Sequence, residues 1–98
     1  MIRHMDEFKG AVDSLGHWSL DNIPGARVIR IFADRVDNTA RMEICLEPDS
    51  WYAREQAIDA MIEIREMFFD DFSISYTFGD AGEAGLTPLE RAESLVYA

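Results

Sequence analysis

The sequence is poor in the residues that usually announce a chemistry. Its 98 residues hold a single cysteine, Cys45, which excludes an intrachain disulfide and makes a reducing, cytoplasmic setting the expectation. The two histidines, His4 and His17, are not spaced with carboxylates or cysteine as zinc ligation requires. Neither H-E-x-x-H nor C-x-x-C occurs, so no metal and no cofactor is expected. No stretch approaches the ~20 consecutive apolar residues that span a bilayer, and no signal peptide is expected. Positive charge is scarce as well. Nine bases, of which only Lys9 is a lysine, stand against nineteen acids, for a net charge of −10. A surface this negative repels nucleic acid and anionic membrane, so neither is an expected direct partner, and it attracts basic proteins.

What is present is an ordinary globular composition, 48% apolar and 29% charged, on a chain of one-domain length. Met5, Phe8, Val12 and Leu15 recur at helical spacing, and Gly16 is the expected stop, with "GHWSLDNIPGA" as the following loop. "RVIRIFA" and "TARMEICLE" alternate as strands around the turn "DRVDNT". In the second, Ala40, Met42, Ile44 and Leu46 face inward while Arg41, Glu43 and Cys45 face outward. Ser50 caps a long helix over 50–69, and "FSISYTF" is a third strand. "GDAGEAG" reads as a flexible linker. After it, Thr87, Pro88 and Glu90 form a helix start, predicting a tail helix over 88–97 with Leu89, Ala92 and Val96 on one side. The expected division is therefore a core domain, 1–79, and a linker with tail helix, 80–98.

The resulting fold class is α+β: an α-β-β-α-β open sandwich with a three-stranded sheet, helices on one face and a short C-terminal helix. Strand three should run parallel to strand two. In element order this is similar to split ferredoxin-like modules, type II KH domains and the cytoplasmic domains of cation-diffusion transporters. No basic RNA-binding helix and no histidine in strand three accompany the likeness, so it implies a plan and no activity.

Helix 50–69 carries one apolar face too many. At 100° per residue, Ala53, Ala57, Ala60, Met61, Ile64, Met67 and Phe68 fill a broad arc for the core. Well apart from it stands a narrow ridge of Trp51, Ile58, Ile62 and Phe69. Arg54 and Arg65 border the ridge on one side; Glu55, Asp59, Glu63 and Glu66 border it on the other. A surface helix normally shows one apolar stripe, so the second side should be covered. Cover from within the chain, by the N-terminal helix or the tail helix, is expected over part of the ridge, and a partner molecule at Trp51. A homodimer, with base meeting acid across an antiparallel pair, is an alternative cover.

The acids bear on chemistry too. Glu55, Asp59 and Glu63 repeat every four residues, but no D-x-D-x-D-G loop turns such a stripe into a cation site. As a nucleic-acid mimic the stripe offers one charge per ~6 Å of helix, against one per ~1.7 Å along duplex DNA. Mimicry therefore needs further acids, such as Asp34, Asp37, Glu47, Asp49, Asp70 and Asp71. The leading expectation is a small, acidic, non-enzymatic binding protein that engages a basic protein partner. Inhibitors that occlude a nucleic-acid-binding site (antitoxin, immunity or phage anti-defence proteins of anti-CRISPR type) belong to that class. The alternative is a homodimeric ligand-sensing or regulatory module of split ferredoxin-like type. A third reading, a small enzyme using Asp70 and Asp71, requires convergent acids in a closed pocket.

Overall fold

Two β-runs joined by a four-residue turn form the centre of the molecule. A computed structural model describes residues 5–79 and 93–97. Strand β1, Ala26–Asp34, pairs antiparallel with β2, Thr39–Leu46. Asp34 builds the turn between them: its Oδ1 accepts from the backbone N–H groups of Val36, at 2.9 Å, and Asp37, at 3.4 Å. Asn38 closes the turn at φ 53°, a left-handed conformation that asparagine tolerates better than most residues.

Helix α1, Met5–Asn22, precedes this hairpin, and α2, Trp51–Met67, follows it. Ser50 caps α2, its hydroxyl accepting from the Ala53 N–H at 3.1 Å. Strand β3, Ser73–Gly79, pairs parallel with β2, as expected. The molecule is thus an α+β fold with two helices and a mixed sheet.

The sheet has four strands rather than three, in the order β3-β2-β1-β4. The fourth, β4, is Glu93–Tyr97, antiparallel to β1, with Leu95 opposite Ile31 and Tyr97 opposite Ile29. The predicted tail helix is therefore a strand over 93–97, while the linker and the helix start at Thr87, Pro88 and Glu90 lie outside the described residues. Leu95 and Tyr97 alternate about an exposed Val96, and that period of two outweighs the helical spacing of Leu89, Ala92 and Val96.

Tyr97 also explains why α1 does not stop at Gly16. The helix runs six residues further, to Asn22. Gly16 lies beneath the Tyr97 ring, where a Cβ would come within 2.3–2.5 Å of the ring carbons. Here glycine permits close packing rather than ending a helix. His17, expected in a loop beside Trp18, instead sits on α1 and meets the Tyr97 ring edge to face, with centroids 5.1 Å apart. The Tyr97 hydroxyl donates to Asp13 Oδ1 at 2.7 Å.

The core lies between the helices and one sheet face. Phe8, Val12 and Leu15 of α1 and Ala57, Met61 and Ile64 of α2 are buried on Ile29, Ile31, Ala40, Met42 and Ile44. The opposite sheet face is not the open surface that outward alternation implies. Phe32, Glu43 and Cys45 are buried there, because the side chains pack on one another. Arg30 forms an ion pair with Glu43, its directly opposite neighbour across β1 and β2, and also approaches Cys45 Sγ at 3.5 Å. Arg41 lies over the Phe32 ring, 5.2 Å from its centroid.

Candidate functional site

Helix α2 packs beside β3 and α1, and its ridge faces away from the core. Trp51, Ile58, Ile62 and Phe69 are 77, 41, 57 and 78% exposed. The N-terminal helix does not cover them, contrary to expectation, because α1 packs against β1 and β4 instead. Tyr52 and Met67 add to the apolar surface. Met67, expected in the core, is exposed, while its neighbours Ile64 and Phe68 are buried. Six of the nine exposed large hydrophobics among the described residues belong to α2 and the turn after it. By typical aromatic areas the ridge exposes on the order of 500 Å², near the upper end for a monomer.

The flanking charges behave differently on the two sides. Arg54 is not a free cation beside the ridge. Its Nε and Nη2 donate to the two Asp49 oxygens at 2.8 and 2.7 Å, and its guanidinium lies over Phe78, 5.1 Å from the ring centroid. These hydrogen bonds hold the Asp49 carboxyl below its usual range and raise Arg54. Arg65 stands exposed at the other end of the ridge. Glu55, Asp59, Glu63 and Glu66 are exposed and make no ion pair among the described residues. Asp59 and Glu63 also line a shallow polar groove between α2 and the end of α1, with Asn22 and Pro24 on its far wall.

Several acids proposed to extend this stripe are engaged elsewhere. Asp34 is buried in its turn, Glu47 pairs with Arg27 at 3.1 Å, and Asp49 holds Arg54. Asp70 and Asp71 sit in the turn before β3 but do not line the cavity next to it. No group of three or more metal-ligating side chains converges among the described residues. No helix among them is long and apolar enough to cross a membrane.

That cavity is the feature that sequence reading missed. It is a groove of 440 Å³ between the end of α2 and β3, lined by Ile62, Arg65, Glu66, Phe69, Phe72, Ser73 and Ile74. The pattern shows the ridge and the strand separately; only the packing of α2 over β3 places Ile62 and Phe69 beside Phe72 and Ile74.

Self-pairing of the ridge does not have the charge match expected of it. Two antiparallel helices related by a twofold axis keep like sides together. Arg65 would therefore lie beside Arg54 of a second copy, and Glu55 beside its Glu66. Like charges in such contact repel. Compared with family models, with curated proteins and with solved structures, the chain matches none.

Proposed function

We propose that this is a non-enzymatic binding protein that docks a basic protein partner on α2. The ridge of Trp51, Ile58, Ile62 and Phe69 is the apolar anchor, and Glu55, Asp59, Glu63 and Glu66 supply the charge. One observation carries this reading: a large exposed apolar ridge runs directly beside four exposed carboxylates that form no ion pair among the described residues. Trp and other aromatics at the centre of an interface supply most of its binding energy, while rim charges set the association rate. Inhibition of a nucleic-acid-binding protein fits this reading through its basic surface. Mimicry of a whole phosphate backbone draws less support, because Asp34, Glu47 and Asp49 are used internally. The parallel β2-α2-β3 unit supports the split ferredoxin-like plan, extended here by β4.

The test is affinity capture from the native host with three baits: the wild-type chain, Trp51→Ala with Ile62→Glu, and a variant with glutamine or asparagine at 55, 59, 63 and 66. A basic protein held by the first bait, lost from the second and released from the first by salt is the expected result. The third bait should associate more slowly, by about tenfold at low salt. All changed positions are exposed, so folding stability should shift by no more than about 0.5 kcal/mol per site. Capture indifferent to both variants and to salt would reject the proposal.

A further inference from the structure

The groove adjoins a sheet edge that is built unlike a protected one. Among the described residues no strand pairs with the outer side of β3. The Ser73 N–H donates to Asn38 O at 2.9 Å and so points toward β2. By the alternation of a strand, the N–H and C=O groups of Ile74, Tyr76 and Phe78 then point to the open edge. Edge strands are usually blunted by charge, proline or a bulge. "SISYTFG" has no charged residue and no proline, and its register with β2 is continuous. The helix side of this edge is apolar: Ile62, Phe69 and Phe72 line the groove beside Ile74.

The geometry points to strand addition: an extended, basic segment of a partner protein pairs with the open edge of β3 and places an apolar side chain in the groove. This rests on the function proposed above and names its mode of recognition. Charge selects the occupant. Glu66 stands on the groove rim, Asp70 and Asp71 precede the strand, and Arg65 is the one cation in the groove lining. A second copy brings another −10, whereas a basic segment meets the excess of acid. In strand addition the main-chain hydrogen bonds supply affinity, and alternate side chains in pockets supply selection.

The experiment uses the full chain and a short synthetic peptide of alternating valine and lysine, followed by amide NMR. Two control peptides accompany it, one N-methylated on every second amide and one with glutamate in place of lysine. The valine–lysine peptide should shift the amides of Ile74, Tyr76 and Phe78, and Ile62→Glu should weaken its binding. N-methylation keeps the charge but removes one edge of donors, and should cost at least about tenfold in affinity, ~1.4 kcal/mol. Equal binding of the methylated peptide would overturn strand addition while leaving charge-driven docking on α2 intact. Equal binding of the glutamate peptide would overturn the choice of a basic segment. A dimer in sedimentation whose β3 amides are protected without peptide would assign the edge to a second copy and overturn the proposal.

Discussion

At the scale of single residues, two part-buried polar contacts tie together positions that composition does not link. Arg30 and Glu43 face each other on the sheet side away from the helices, with side chains 15 and 7% exposed. The hydrogen bond from Arg30 to Glu43 leads the causes that raise the arginine pKa. Removing one partner leaves the other charge unpaired in a part-buried site, so Glu43→Ala should cost about 2 kcal/mol in chemical denaturation. Arg30→Met with Glu43→Leu removes both charges and should recover most of that loss. The second contact is the Tyr97 hydroxyl on Asp13. Burial first, and then the hydrogen bond to this carboxylate, push the phenol well above its ordinary 10.0. Above pH 10 the unfolded chain therefore releases a proton that the folded chain keeps, and stability falls as pH rises. Below pH 10 that contribution is fully present. Tyr97→Phe should lower stability at neutral pH by about 1 kcal/mol and flatten the alkaline decline, as followed by unfolding at stepped pH.

At the scale of elements, α1 and β4 depend on each other through Gly16. Alanine is the better helix former by about 1 kcal/mol, so a helix considered alone gains from Gly16→Ala. Here the new methyl meets a buried ring fixed between Asp13 and His17. Overpacking costs typically 1–3 kcal/mol, and a net loss of about 1 kcal/mol or more is expected by thermal unfolding. A gain in stability would show that the ring swings aside freely. Helix α2 presents the opposite case, since its ridge stands exposed instead of packing in the core. Its second apolar face reads as surplus in the pattern because it has no intramolecular use among the described residues.

At the scale of the whole molecule, β4 makes the sheet a closed account of its own core. It covers the outer edge of β1, buries Tyr97 and ties the end of the chain to α1. Truncation after Gly79 removes this strand and leaves β1, with Ile29 and Ile31, as a bare edge. The shortened chain should lose cooperative unfolding or melt at least about 10 °C lower, equivalent to a few kcal/mol for a domain of this size. An unchanged melting curve would show that β4 only rests on the sheet. Among the described residues the sheet has two edges, β4 and β3, and β3 is the one beside the ridge and the groove. Among these residues β4 and α1 pack on each other at one end of the sheet, and the surface proposed for recognition lies at the other, on α2 and β3.

Local pattern was enough to determine the elements whose apolar period is unambiguous. The strict alternation of Ala40, Met42, Ile44 and Leu46 identifies β2, and Ser50 marks the start of α2. The two apolar arcs of that helix are legible because a helix has a fixed angle per residue. Tertiary structure decided what no local period contains. Gly16 continues α1 because of a ring eighty-one positions away, and residues 93–97 extend because β1 offers an edge to pair with. Likewise, Glu43 and Cys45 alternate outward yet are buried, since burial depends on what the neighbouring strands bring. The ridge was visible in the sequence. That it is bare among the described residues, and that it borders a groove and the outer edge of β3, follows only from how α2 packs beside β3.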